Sequence, residues 1–371
     1  MLDFFVFFRS TKLLFTLPLV LSVLGSVTEV VQAGAGRTGA QILNLGGGTR
    51  AASLGDAFSA INGDVTAPLW NPSGLNGISK LQTTLSYKDY SQLFGDASEG
   101  LYYAFFAGAT HLDGLGTIAG TLQVQGQGKI AVTTNSPEVI REEDLGTNWV
   151  LTASYADKLT KNLAAGISGK IIRQRLAQYG GRAYAIDFGV QYDIQELFVP
   201  VRFGVALQNW GTRIKFKDEN QSDPLPRALR IGTLVTLLDV KHHYINLVTD
   251  LTAAIDKIQE DDEEGVKVYL ENNPDMTREQ LMADRGVGLH AFRWKHLQKS
   301  IGLEYTLGKI LYLRAGYKKD PGMPTFPEFT DYLTYGFGAR VYFGQLDFAQ
   351  VPGGGPNNKR LNVFALRLIF D

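Results

Sequence analysis

The residues best suited to chemistry are nine charged side chains set into otherwise apolar or small-residue stretches: Lys170, Asp187, Arg202, Arg230, Asp250, Glu304, Arg314, Arg340 and Arg367. Each falls on the parity opposite to a run of large apolar residues. Around Asp187, the set Tyr184, Ile186, Phe188, Val190 and Tyr192 alternates with Ala183, Ala185, Gly189 and Gln191. Side chains of successive strand residues point to opposite faces, so these charges share an interior polar face behind an apolar one. Two chemistries follow. The charges could pair across strands and keep a polar interior satisfied. Alternatively, a mildly cationic interior could orient an anionic head group through bidentate arginine contacts.

Other chemistry has little support. The chain has no cysteine, which excludes disulfides, thiolate metal sites and cysteine nucleophiles. Its histidines, His111, His242, His243, His290 and His296, sit in no Gly-x-Ser-x-Gly or His-Glu-x-x-His frame, so no catalytic residue is assigned and the chain reads as a non-enzyme. The acidic run Glu260 to Glu264 and the stretch Asp218 to Asp223 do not fit an EF-hand frame, so no metal site is assigned, and no cofactor is called for. Gly46-Gly47-Gly48 lacks a following Gly-Lys-Ser/Thr and a preceding strand, which argues against a phosphate loop. With a formal net charge of −1, the chain is not a nucleic-acid binder.

The elements that must carry these charges are strands. Alternation recurs in Trp149 to Tyr155, Leu333 to Phe343 and Phe364 to Phe370, and fourteen such segments can be counted from Leu81–Tyr90 to Leu361–Phe370. Ten residues suit a tilted membrane-spanning strand. Long connections fall on one side of the strands and short ones on the other, as in outer-membrane barrels. The expected fold is therefore an all-β transmembrane antiparallel barrel of about 14 strands, residues 81–371. Its even strand number places both termini in the periplasm. A long, partly helical, acidic extracellular loop is expected at residues 253–294, where Thr277 and Gln280 have capping-box spacing and Gly286 can end a short helix. A large soluble β-sandwich or propeller is the alternative, but no blade-length repeat is present.

Residues 1–33 read as a secretory signal peptide. Arg9 and Lys12 precede the apolar run Leu13 to Leu24, and the Val31-Gln32-Ala33 site follows. The run is too short to span a membrane as a helix. Residues 34–80 come before the first strand. Arg50 to Ile61 carries Ala51, Leu54, Phe58 and Ile61 at helical spacing, Asn62-Gly63-Asp64 reads as a stop, and Asn71-Pro72-Ser73-Gly74 as an extended step followed by a turn. A barrel of fourteen strands leaves a lumen to fill, so a short helical plug entering from the periplasm is expected here.

The segment Gly46 to Leu75, ending in Trp70-Asn71-Pro72-Ser73-Gly74-Leu75, resembles the N-terminal signature of the PorV/PorQ family of FadL-like outer-membrane barrels. The likeness continues at Lys170 to Leu176, Leu313 to Tyr317 and Leu346 to Pro352. Three departures stand out. Asp56 is found where the family has Gly, Ser53-Leu54 where it has Gly-Met, and Asp371 follows the terminal aromatic. The resemblance implies a plug held inside the barrel, marked by Arg50, Phe58, Asp64, Trp70, Asn71, Pro72 and Gly74. It implies location in the outer membrane, and first of all passage of hydrophobic or amphipathic small molecules. The alternatives are a PorV-like accessory that binds secreted proteins at the cell surface, as in type IX secretion, and a structural barrel. The implied partners are outer-membrane lipid, a hydrophobic ligand, and secreted proteins or their secretion machinery.

Overall fold

In a computed structural model, the structure describes residues 38–90, 100–133, 139–195, 197–216, 222–255, 270–271, 273–285, 292, 294–321, 332–353 and 359–370. Residues 1–33, expected to be a signal peptide, the acidic run 260–264, Gly286 and His290 lie outside these residues, as does most of Asp218 to Asp223.

Among the described residues eighteen strands follow one another: β1 (Gln82–Asp89), β2 (Leu101–Leu112), β3 (Gly116–Gln127), β4 (Lys129–Thr133), β5 (Val139–Asp144), β6 (Thr147–Lys158), β7 (Leu163–Leu176), β8 (Tyr179–Ile194), β9 (Val201–Gly211), β10 (Ile214–Lys215), β11 (Ser222–Asp223), β12 (Ala228–Val240), β13 (His243–Ala254), β14 (Gln298–Leu307), β15 (Leu311–Lys319), β16 (Leu333–Val341), β17 (Gly344–Pro352) and β18 (Arg360–Ile369). The wall is a closed antiparallel barrel of fourteen of them. β4 and β5 form a separate hairpin, and β10 and β11 form short pairings beside β8. Closure comes from β1 against β18, with Gln82 opposite Ile369, and from β8 against β9. A closed wall leaves no unpaired strand edge in lipid, where an unsatisfied backbone group costs several kcal/mol. Among the described residues no helix is long and apolar enough to cross a membrane.

The two faces of the wall differ as period-two alternation requires. Along β8, Tyr184, Ile186, Phe188 and Val190 are exposed, while Ala183, Ala185, Asp187, Gly189 and Gln191 are buried. Outward-facing Leu151, Phe337 and Phe364 extend the apolar surface around the barrel. Connections 113–115, 159–162, 195–200, 241–242, 308–310 and 342–343 are short. The opposite end holds 128–146, 212–227 and 255–297, and is the extracellular end by the usual asymmetry of such barrels. In connection 255–297 a helix spans Arg278–Arg285. Thr277 and Gln280 cap it reciprocally: the Thr277 amide donates to Gln280 Oε1 (2.8 Å), and the Gln280 amide donates to Thr277 Oγ1 (3.2 Å).

The segment ahead of β1 fills the barrel with little regular structure: a five-residue helix, Thr49–Ser53, and 3-10 turns at Gln41–Asn44, Ala67–Leu69 and Pro72–Gly77. The longer helix suggested over Arg50 to Ile61 stops at Ser53, because Gly55 and Asp56 both take positive φ (65° and 61°). The direction of this segment also differs from the expected entry out of the periplasm. The Gly39 amide donates to the Pro224 carbonyl (3.0 Å) and the Ala40 amide to Gln174 Oε1 (2.8 Å), both at the extracellular end. Gln82 Nε2 donates to the Gly63 carbonyl (3.3 Å), and Arg202 Nη1 to Asn62 Oδ1 (2.6 Å), at the periplasmic end. The described chain therefore starts at the extracellular end of the barrel and descends through the lumen before turning into β1. Strand parity fixes where the wall begins and ends, but not the course of a segment that belongs to no strand.

Phe188 is outward and Thr152 inward, and the Thr152 hydroxyl is buried with no hydrogen-bond partner among the described residues. Phe188→Arg is expected to destabilise the folded barrel by ~2–4 kcal/mol, the cost of arginine facing mid-bilayer lipid. Thr152→Val should be neutral or slightly stabilising, since it removes an unsatisfied polar group. Urea titration of the heat-modifiable form in vesicles checks both, and the reverse order would invert the assignment of faces.

Candidate functional site

The densest arrangement of charge joins plug to wall. Arg50, at the second position of the short helix, grips Glu304 of β14 with two nitrogens, Nε to Oε2 (2.9 Å) and Nη2 to Oε1 (2.6 Å). Its Nη1 reaches Asp64 Oδ2 (3.1 Å), further down the plug. The same Asp64 oxygen accepts from Arg367 Nη1 of β18 (2.8 Å), while Oδ1 accepts from the amide and hydroxyl of Thr66 (3.0 and 2.7 Å). Glu304 Oε2 also accepts from Arg314 Nε of β15 (2.7 Å). Arg314 Nη1 then donates to Asp347 Oδ1 of β17 (2.6 Å), and Gln345 Nε2 donates to Asp347 Oδ2 (2.8 Å). Three arginines thus meet three carboxylates in one buried chain. Asp64 has no solvent exposure and Glu304 only 3%. Charges so buried stay ionised only when paired and hydrogen-bonded.

A second set of wall groups holds the plug backbone. Asp250 Oδ2 of β13 accepts from the Phe58 amide (3.0 Å), the Ser59 amide (2.9 Å) and the Ser59 hydroxyl (2.6 Å). Gln191 Nε2 donates to the carbonyls of Ser59 and Ile61 (3.1 and 3.0 Å), and Gln208 Nε2 to that of Leu69 (2.8 Å). An irregular chain leaves its peptide groups without ladder partners, and the polar face of the wall supplies them.

The Trp70 to Gly74 motif forms the hinge of the plug. Trp70 is 2% exposed and packs on Phe58 with ring centroids 4.9 Å apart; the Arg50 guanidinium lies 5.8 Å from the Phe58 ring centroid. Asn71 is extended ahead of Pro72. Its Oδ1 accepts from the Ser73 amide (3.1 Å) and hydroxyl (2.6 Å), and its Nδ2 donates to the carbonyls of Ser59 (2.8 Å) and Val190 (3.1 Å). Pro72 opens the 3-10 turn with a nitrogen that needs no partner. This turn lies flat on the wall. A Cβ added to Gly189 would fall 1.9 Å from Asn71 Oδ1, and one added to Gly74 would fall 2.5 Å from the Ile61 carbonyl. Only glycine permits either approach.

The remaining charged positions do not join one centre. Lys170 pairs with Asp187 (2.6 Å) and donates to Asn209 Oδ1 (2.7 Å). Arg202 pairs with Asp193 near the periplasmic rim. Arg230 donates to Gln208 Oε1 (2.6 Å) and Thr252 Oγ1 (3.1 Å). Arg340 donates to the Tyr342 carbonyl (3.1 Å) at the periplasmic turn, away from the buried chain. Sequence reasoning passed over Asp347, although Leu346-Asp347-Phe348-Ala349 alternates as the other strands do. It also passed over the partner of Asp56, whose carboxylate accepts from Lys318 Nζ (2.8 Å). Asp56 adopts φ 61°, a region that Asp tolerates better than most residues.

A family model described as "Type IX secretion system protein PorV" matches residues 31–256, more than half of the chain. The chain belongs to the PorV family. No curated protein sequence matches it. Among solved structures it is similar to the toluene transporter TbuX from Ralstonia pickettii, with TM-score 0.50 and 13% identity over 88% of this chain and 99% of that one. The toluene transporter TodX from Pseudomonas putida gives 0.44 and 11% identity, covering 92% and 98%. A FadL homologue from Pseudomonas aeruginosa gives 0.43 and 11%, covering 87% and 98%. The likeness to TbuX is one of fold. Family and fold together make this an outer-membrane barrel.

For this PorV-family barrel, Glu304→Ala is expected to cost ~3–5 kcal/mol, because it leaves Arg50 and Arg314 facing each other without their shared carboxylate. Asn71→Ala should cost less, ~1–3 kcal/mol, through carbonyls left unpaired. Urea midpoints of the folded barrel in vesicles measure both. A Glu304→Ala variant as stable as the parent would show that the buried chain does not hold the plug.

Proposed function

We propose that this protein is a plugged outer-membrane barrel of the secretion-accessory kind, which keeps its lumen shut and offers its extracellular end to secreted proteins. The observation that carries this reading is the bolting of the plug to β14 and β18 by Arg50 and Asp64. Opening a path through the lumen would separate buried ion pairs, at ~3–5 kcal/mol for each partner stranded. Such a plug suits a barrel whose work is done at its surface. The family description, which names a secretion system, supports the same reading.

Passage of hydrophobic or amphipathic small molecules, the function the sequence resemblance put first, is the second reading. It draws on TbuX, whose description is that of a toluene transporter. At 13% identity that likeness carries the fold and no substrate.

Two measurements decide between them. In planar bilayers the intact protein should show little ion conductance, and a variant lacking residues 34–79 should assemble and conduct. In cells, deleting the gene should reduce the proteins released to the medium and leave toluene uptake unchanged. Normal release with slowed toluene uptake would overturn the accessory reading in favour of passage.

A further inference from the structure

The long-range hydrogen bonds of residues 39–42 lie at one end of the barrel. Besides the bonds to Pro224 and Gln174, the Ile42 carbonyl accepts from Gln123 Nε2 (3.5 Å), close to the extracellular end of β3. Ala40 and Ile42 are fully buried in an apolar cluster with Tyr103, Phe105, Ile214 and Leu225. Ile214 and Leu225 belong to connection 212–227, and Tyr103 and Phe105 to the first residues of β2, which starts at the extracellular end. A Cβ added to Gly39 would fall 2.2 Å from Ile214 Cγ2, so the chain passes tightly beneath that connection. Lower down, Arg50 meets Glu304, and lower still Gly63 meets Gln82 at the start of β1. The same segment therefore touches both ends of the barrel in chain order.

From this course we infer that residues 38–44 open onto the cell-surface side of the membrane, while the carboxyl end of β18 remains periplasmic. If cleavage follows Ala33, four residues, Gly34 to Arg37, precede Thr38. Residues 38–44 then lie at the extracellular face beside connection 212–227. This goes beyond the secretion reading and does not depend on it, because a conducting barrel could carry the same topology.

Two residues of the segment report its side directly. Gln41 and Asn44 are exposed while Ile42 between them is buried, so both point away from the apolar cluster. The chain contains no cysteine, so each introduced thiol is the sole target for labelling. The experiment treats intact cells with a membrane-impermeant, polymer-linked maleimide. Variants are Q41C and N44C, with Q178C in the tight extracellular turn between β7 and β8 as the outward reference and D113C in the periplasmic turn between β2 and β3 as the inward one. Heat-modifiability confirms that each has assembled, and Q41C and N44C are separate reporters, so either one decides the outcome if the other fails to fold. We expect Q41C and N44C to label on intact cells to an extent like Q178C, and D113C to label only after the outer membrane is permeabilised. If Q41C and N44C react only after permeabilisation, alongside D113C, the segment enters from the periplasm. If both stay unlabelled on intact cells yet react in detergent, the amino end is enclosed rather than presented. Either result overturns the inference.

Discussion

Arg50 joins the plug to the wall at the most densely charged point of the interior. Its guanidinium takes both oxygens of Glu304 on the wall and one of Asp64 in the plug, and Asp64 is in turn held by Arg367 on the far side of the β1–β18 seam from Gln82. The wall has already committed its outer face to lipid, so its inner face must find partners of its own. Glu304, Arg314, Asp347 and Arg367 carry equal numbers of positive and negative charges, and the plug adds one of each through Arg50 and Asp64. The balance holds with or without the plug, but the pairing does not. Without it Arg367 loses its carboxylate, whereas Glu304 keeps Arg314. The ion pairs therefore make the position of the plug specific, which a lumen lined with apolar side chains could not do.

The polarity of the interior has a second cause. The plug is mostly irregular, and a buried irregular backbone exposes amides and carbonyls that no helix or sheet satisfies. Asp250 accepts two such amides, and Gln191, Gln208 and the side chain of Asn71 take carbonyls. Inward-facing glutamines and aspartates are thus matched to peptide groups as much as to one another. Small residues on the same face do complementary work, since Gly189 lets Asn71 and Pro72 lie against β8. The alternation of large apolar and small or polar residues reflects both surfaces at once.

This explains which parts were legible in the sequence. Strands announce themselves by period two, and the fourteen expected segments correspond to the fourteen wall strands, with the starts of β8 and β14 shifted by about three residues and the end of β2 by about four. The same periodicity separates Asp187 from Phe188 without knowledge of either partner. The partners themselves were hidden. Asp187 bonds the amide of Asn209 because β8 and β9 slip by one register step between Ile186 and Phe188, and Asn209 takes φ 59° there. A bulge of this kind leaves no mark in the alternation of a single strand.

The course of the plug was hidden for a deeper reason. An even number of strands returns the carboxyl end of the wall to the side from which β1 departs, and this follows from counting alone. The residues ahead of β1 obey no such parity. Their path is set by tertiary contacts, with Gly39 and Ala40 under connection 212–227, Arg50 at Glu304 and Gly63 beside Gln82. Each of these contacts joins residues far apart in sequence, and none has a local pattern. The Asn62-Gly63-Asp64 stop and the Asn71-Pro72 step can be read as turns, but a turn does not say which way the chain came. The difference in loop length between the two ends of the barrel supplies the missing reference, because it names the end at which Gly39 is held.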